Sequence, residues 1–166
     1  MVVIDNFLNK KTLKQLNNIN LWKEYSFDKT NKFFWISKKH NRPKNIFESI
    51  IIKSILKKVD KKIVNNSVGY QYWINILEDK LDWHLDKDET VWEEQSLLKK
   101  SVKNVVYYGY PHKIKGGNLL TDTGHKIEPK YNRLVIFDNT PHAVDNITSG
   151  KRVALSVNFW YETPTL

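Results

Sequence analysis

Apolar residues recur at three- and four-residue spacing most clearly at Ile46, Phe47, Ile50, Ile51, Ile55, Leu56 and Val59. That period predicts a helix opened by Asn45 with one wide apolar face, its lysines gathered toward the end where the helix dipole accepts positive charge. Such a face needs a sheet to lie on, so the helix reads as a structural brace. A shorter helix is predicted over residues 10–18, capped by Asn9 and turning Leu13 and Leu16 inward, after a short strand within residues 2–8. Phe33, Phe34 and Trp35 suit a strand packed on the core or the rim of a substrate site. His40-Asn41-Arg42-Pro43 reads as a loop, because proline pushes its predecessor out of helical geometry.

From about Ser67 the pattern changes to short β-rich runs. Residues 68–77, 83–86, 102–108, 118–121, 133–138, 142–145 and 151–161 all read as strands. They are separated by Gly116-Gly117, Asp122-Thr123-Gly124, Asn139-Thr140-Pro141 and Thr148-Ser149-Gly150, which carry turn chemistry. The expected fold is therefore α+β, mainly β: a double-stranded β-helix, or jelly roll, with N-terminal bracing helices. A single domain is expected, with residues 1–62 as helical support and a core over about residues 67–161. Residues 88–100, rich in charge, read as an inserted loop or short helix. In the last strand Val153, Leu155, Val157 and Phe159 share a core face. Arg152, Ala154, Ser156 and Asn158 share the other, which either meets solvent or lines a polar cavity inside the double sheet.

Composition narrows the chemistry. The chain has 166 residues and no cysteine, which excludes disulfides, thiolate metal sites and a cysteine nucleophile. A metal site must therefore use histidine and carboxylate. The net charge is +9, and residues 1–62 hold 15 of the 27 Lys and Arg against 5 of the 18 Asp and Glu. The basic excess belongs entirely to that part, where it solvates helix faces or attracts an acidic partner such as nucleic acid. No apolar run has the length of a signal peptide core or a membrane span, so a soluble, cytoplasmic protein is expected.

Within Trp83-His84-Leu85-Asp86, strand alternation points His84 and Asp86 the same way, a pair able to chelate a divalent first-row metal. A histidine two residues from an aspartate also arises by chance at solvated strand ends, so the pair needs a third ligand. His142 offers one. Arg152 follows it across the Ser149-Gly150 turn; antiparallel pairing of the two strands would set its guanidinium on the same interior wall. An unpaired buried guanidinium costs several kcal/mol. An anion is therefore expected there, and the fork of donors suits a carboxylate. His112, His125 and His40 read as surface residues. Asp138 and Asp145 bracket His142, and Asp145 either orients a metal ligand or, the preferred reading, caps its own turn.

The order His84-x-Asp86, His142 and Arg152 has Gly116-Gly117-Asn118-Leu119 and Glu128-Pro129-Lys130-Tyr131-Asn132-Arg133-Leu134-Val135-Ile136-Phe137 between its members. It resembles the iron(II)- and 2-oxoglutarate-dependent dioxygenases of the prolyl-hydroxylase type. The resemblance runs roughly from Tyr70 to Trp160, which is more specific than the three ligands alone. It implies that His84, Asp86 and His142 hold Fe(II) on one face of its octahedron. Arg152 would bind the distal carboxylate of 2-oxoglutarate, Tyr108 would donate to the same group, and Tyr107, of opposite parity, would pack. Tyr72, with Tyr70 as the alternative, is the candidate for the other end of the cosubstrate. Ser156 and Asn158 would line the pocket. The implied reaction consumes O2 and 2-oxoglutarate, releases succinate and CO2, and hydroxylates an unactivated C–H. The iron centre carries the chemistry with no separate protein acid or base, and ascorbate is an optional reductant. The implied substrate is a peptidyl or free amino acid, proline first, or another small molecule or protein. Two alternatives stand beside it. One is a nucleic-acid-directed dioxygenase using the basic surface, although Arg152-Val153-Ala154-Leu155-Ser156 does not match the Arg-x-Asn-x-Thr-x-Arg strand of those relatives. The other is a non-catalytic jelly roll that binds a sugar or a structural metal.

Overall fold

The computed structural model describes residues 1–39 and 42–165; His40 lies outside the described residues. Its strands are β1 (Val2–Ile4), β2 (Phe34–Ser37), β3 (Gly69–Leu77), β4 (Leu81–His84), β5 (Lys103–Tyr108) and β6 (Lys115–Gly116). They continue as β7 (Leu119–Thr121), β8 (Lys126–Ile127), β9 (Arg133–Asp138), β10 (His142–Val144), β11 (Ile147–Ser149) and β12 (Arg152–Trp160). Helices α1 (Lys10–Gln15), α2 (Ile19–Glu24), α3 (Phe27–Thr30), α4 (Ile46–Ile50) and α5 (Lys61–Asn66) precede β3, and α6 (Glu89–Gln95) follows β4.

Two antiparallel sheets face one another. The larger runs β1-β9-β5-β12-β3-β2 and the smaller β4-β10-β7-β8, with β11 and β6 forming a separate hairpin-like pair. This is the double-stranded β-helix expected from the strand pattern. Residues 1–62 are more than helical support, because β1 pairs with β9 and β2 pairs with β3, closing both edges of the larger sheet.

Alternation along the strands divides the interior in two. Val105, Tyr107, Val153, Leu155, Val157 and Phe159 pack beneath the helices in one large apolar cluster. Their neighbours Val106, Tyr108 and Ala154 point the other way and pack with Leu119, Val135 and Phe137 between the sheets. The brace is α4 continued by a π turn at Ile51–Ile55, in which the Leu56 N–H reaches the Ile51 carbonyl. Ile51 and Ile55 are both fully buried. Asn45 caps its start by accepting from the Glu48 N–H, as Asn9 caps α1 by accepting from Thr12. Phe34 stacks on Tyr72 in the helix-side core, whereas Phe33 is 44% exposed and meets Trp73 edge-on at the opening between the sheets. The aromatic run at residues 33–35 thus serves both core and rim. Among the described residues, no helix is long and apolar enough to cross a membrane.

Candidate metal centre and cosubstrate pocket

Strands β4 and β10 lie side by side with His84 directly opposite His142. Asp86 sits two residues past His84, just beyond the end of β4, where the chain turns toward α6. Register and turn together bring one ligand atom from each of the three residues within 4.8 Å of the others. The Asp86 carboxylate spans the pair, with His84 Nε2 3.7 Å from Oδ1 and His142 Nε2 3.7 Å from Oδ2.

The tautomers suit a cation. Each histidine uses Nδ1 against the carbonyl two residues earlier, His84 on Asp82 at 2.8 Å and His142 on Thr140 at 2.8 Å. With the proton on Nδ1, both Nε2 lone pairs face the space that Asp86 also faces. Burial holds His142 below the ordinary histidine pKa, with the Asp86 charge opposing. The ring is therefore neutral near pH 7, as ligation requires.

Three amide and hydroxyl side chains that the sequence reading did not single out fix Asp86. Asn104 Nδ2 donates to Asp86 Oδ2 at 2.8 Å, and Ser101 Oγ donates to Asn104 Oδ1 at 2.6 Å. Asn139 Nδ2 donates to the Asp86 carbonyl at 2.6 Å and to the Ser101 carbonyl at 3.0 Å. Asn104 shares its strand parity with Tyr108, so placing Tyr108 inside the pocket places Asn104 there too. Supports of this kind hold a ligand's orientation and charge, and their loss commonly lowers metal affinity about 10- to 100-fold. Asn104→Ala is accordingly expected to weaken Fe(II) binding by about that factor while leaving the unfolding midpoint close to wild type. Calorimetric titration checks it, and an unchanged affinity would show that Asp86 needs no such support.

Arg152 enters the same cavity from β12. It is 2% exposed, its Nη2 donates to the Tyr108 hydroxyl at 2.9 Å, and its Nε has no hydrogen-bond partner among the described residues. The route differs from the one expected. β12 pairs with β3 and β5, whereas β10 pairs with β4 and β7, so Arg152 and His142 belong to facing sheets rather than neighbouring strands. The guanidinium therefore stands on the opposite wall from the histidines. Tyr108 is fully buried and accepts from Arg152, which leaves its own hydroxyl proton to donate onward. Gly117 sits against this group with φ +72°, a left-handed conformation, and a Cβ there would fall 3.5 Å from Arg152 Cδ and 2.9 Å from Ile114 Cδ1. A side chain at that position would be strained and would crowd Ile114, while only touching the arginine stem.

Of the other expected positions, Ser156 and Asn158 line the cavity together with Trp73 and Asn75 of β3. Tyr107 has turned away as expected and donates to Asn132 Oδ1 at 3.0 Å. Tyr72 is a correction. It lies on the helix side of β3, its hydroxyl accepting from Asn45 Nδ2 at 2.9 Å and donating to Glu48 Oε1 at 3.2 Å. Burial raises its pKa and keeps it a neutral donor. Tyr70 has the same parity and packs on Phe159. Neither reaches the cavity, which takes Trp73 and Asn75 from that strand instead.

His112 is also a correction, being half-buried rather than a surface residue. Its Nδ1 accepts from the Val153 N–H at 3.3 Å and its Nε2 faces the Pro129 carbonyl at 3.0 Å, the arrangement of a neutral ring. Burial foremost, and then the Arg152 charge, hold it below the ordinary value of 6.5 against the opposing Pro129 contact. A folded pKa below the unfolded one leaves stability complete above the unfolded value and erodes it as pH falls toward the folded value. His142 carries the same sign. Metal-free protein is therefore expected to unfold at lower temperature at about pH 5.5 than at about pH 7.5, across the histidine range. His112→Gln should shrink that difference; the same difference in both proteins would show His112 to be indifferent to folding. His125 meets Thr123 Oγ1 in an exposed turn. Asp138 pairs with Lys103, and Asp145 accepts twice from Asn118 and pairs with Lys126, tying strand ends rather than a ligand.

Two imidazoles and one carboxylate on one side of an ion, with open positions opposite, form the facial set of non-haem iron(II) oxygenases. The donor set fits that metal, and the unpartnered Arg152 Nε fits the carboxylate of a diacid. The family model of the 2OG-Fe(II) oxygenase superfamily matches residues 70–162. The chain belongs to this superfamily and is an oxidoreductase whose metal and cosubstrates are Fe(II), 2-oxoglutarate and O2. Its fold resembles a Pseudomonas putida prolyl-4-hydroxylase with TM-score 0.67 at 15% identity, over 98% of this chain and 92% of that one. A viral collagen prolyl hydroxylase from Paramecium Bursaria Chlorella virus-1, solved with 2-oxoglutarate, gives 0.59 at 20% identity, over 95% and 94%. A prolyl hydroxylase from Trichoplax adhaerens, in complex with a hypoxia inducible factor oxygen degradation domain peptide fragment, gives 0.57 at 16%, over 96% and 82%. No curated protein matches the chain at a significant level.

Proposed function

We propose that His84, Asp86 and His142 hold the Fe(II), that Arg152 and Tyr108 bind the distal carboxylate of 2-oxoglutarate, and that the enzyme hydroxylates a peptidyl residue, with proline the first candidate. The observation that carries this reading is Arg152: a buried cation with an unpartnered Nε, in the same cavity as the triad but on the facing wall. A diacid chelating at one end and held by a guanidinium at the other spans that gap. The void beside the triad is lined from both sheets, by His84, Asp86 and His142 on one side and Arg152, Ser156 and Asn158 on the other.

Bound Fe(II) supplies the site at which O2 reacts with the 2-oxo acid, which leaves as succinate and CO2 while one oxygen atom enters a substrate C–H. The chain does the rest. Asn104 and Asn139 fix the carboxylate ligand, Arg152 and Tyr108 set the depth of the cosubstrate, and Trp73 and Leu81 wall its mouth against water. Outside this mouth lies a groove of about 430 Å³ bordered by Phe27, Phe33 and Trp73, a volume within the range of ligand-binding clefts. Resemblance of the fold to prolyl hydroxylases, one of them solved with a peptide, supports a peptide in that groove.

The test is a panel of proline-containing peptides, each matched by its alanine counterpart, incubated with Fe(II), 2-oxoglutarate, ascorbate and air. The expected result is a gain of one oxygen atom on proline peptides with matching succinate. Oxygen gain on free amino acids or nucleic acid alone would move the substrate elsewhere, and absence of succinate from any reaction would overturn the site assignment.

A further inference from the structure

One side of the groove outside the triad is formed by the chain's own segment after β12. After β12 the backbone crosses to the loop that follows the metal ligands, and Pro164 is buried there between the exposed residues Thr163 and Thr165. Pro164 and Thr165 border the same groove as His84, Asp86 and Trp73. Two hydrogen bonds hold this segment, and both use its main chain: Lys99 Nζ donates to the Thr163 carbonyl at 2.5 Å, and the Thr165 N–H donates to Asp88 Oδ2 at 2.7 Å.

The receiving groups are built for the task. Asp88 is 3% exposed, two residues beyond the ligand Asp86; its Oδ1 caps α6 by accepting from Val91, leaving Oδ2 for Thr165. Lys99 lies 3.8 Å from the same carboxylate, so cation and anion stand side by side. Proline has no N–H and keeps only its own carbonyl, so the N–H and C=O that anchor the segment come from its neighbours, the preceding carbonyl and the following N–H. Lys99 and Asp88 take those two groups, and the ring between them is buried. Among the described residues, no hydrogen bond reads the side chains of the flanking threonines.

We infer that Asp88, Lys99 and the adjoining groove form a docking site for an extended, proline-centred peptide, and that residues 163–165 occupy it in cis as a strap that an incoming peptide displaces. The inference rests on the peptide-substrate reading proposed above and adds how that substrate is held and what competes with it. A tethered segment acts at an effective concentration of roughly millimolar, which raises the apparent dissociation constant of any competitor for the same groups.

The test uses the 166-residue chain with Pro164→Asp, which sets a charge beside Asp86 and Asp88 to expel the strap, and a second variant lacking residues 163–166. The probe is the synthetic peptide Tyr-Glu-Thr-Pro-Thr-Leu, followed by nuclear magnetic resonance shifts or by the tryptophan fluorescence to which Trp73 contributes. Both variants are expected to bind the probe about tenfold more tightly than the unaltered chain, as removal of an intramolecular competitor implies. Replacing the probe's proline by alanine should abolish most of the gain. Equal affinity in all three proteins, or no binding by a variant that still takes up Fe(II), overturns the inference. Loss of folding in both variants also overturns it, since the strap would then be a fixed part of the fold. Oxygen incorporation, measured separately on all three, reports on the substrate reading. Tighter probe binding without any peptide oxidation would leave the strap standing and remove that reading.

Discussion

Asp86→Ala is expected to abolish Fe(II) binding and succinate formation together. The carboxylate is the one anionic member of the triad and lies 3.7 Å from each imidazole Nε2. Without it two imidazole rings remain, whose centroids are 4.3 Å apart and which supply no negative charge to offset that of the ion. Loss of an outer hydrogen-bond partner lowers metal affinity by about 10- to 100-fold, so loss of the ligand itself should exceed about 100-fold. Folding should survive, because Asp86 belongs to neither apolar cluster. His84→Ala should behave alike, since His84 is half-exposed and its Nδ1 contact is to a backbone carbonyl two residues away. The checks are calorimetric titration with Fe(II) without oxygen, and succinate measured under air with 2-oxoglutarate in excess. Succinate at near wild-type rate from either variant would mean that the metal sits elsewhere.

The triad was legible because its members sit in strands and turns whose local signals are strong. The two-residue spacing singled out His84 and Asp86, although β4 ends at His84 and the turn after it places Asp86, and the Asn139-Thr140-Pro141 turn delimits β10 just before His142. The cavity face of β12 was legible for the same reason, as Val153, Leu155, Val157 and Phe159 define the opposite face without ambiguity. What alternation does not contain is which strands become neighbours. The path from His142 to Arg152 was read as a hairpin. The intervening residues instead form β11, which pairs with β6, and the chain crosses to the other sheet. The two readings give the same residues in one cavity by different walls, and only long-range pairing distinguishes them.

Tyr72 was misplaced because its strand is aromatic on both faces. Tyr70 and Tyr72 alternate with Gln71 and Trp73, and the sequence does not say which face meets the helices. Its pairing with β12 decides it, since Ser156 lies opposite Trp73 and Val157 opposite Tyr72. Asn104, Asn139 and Ser101 went unseen for another reason. Buried amides and hydroxyls have no sequence period of their own, and their role depends on partners such as Asp86 that are close in space and distant in the chain.

Arg152→Ala should leave the metal in place and remove the cosubstrate. Hydrogen bonds to a charged group contribute about 1.5–3 kcal/mol each, and a bidentate fork makes two, so the KM for 2-oxoglutarate should rise by about 100-fold or more. Tyr108→Phe removes one donor to the same carboxylate and should raise it by about 10- to 100-fold, in proportion to a single bond. Arg152→Lys keeps the charge but replaces the planar fork by a point donor on a shorter reach, and should fall between the two. The effect on folding separates a binding role from a structural one. A guanidinium that is 2% exposed, with Nε unpartnered and a tyrosine hydroxyl in place of a carboxylate, gains little from its surroundings to offset its lost hydration. Its removal should therefore leave the unfolding midpoint unchanged or raise it, although the same removal cripples the enzyme. Stability and turnover moving in opposite directions is the signature of a cation kept for its ligand. A midpoint that falls in parallel with turnover, with cosubstrate affinity intact, would assign Arg152 to the core instead.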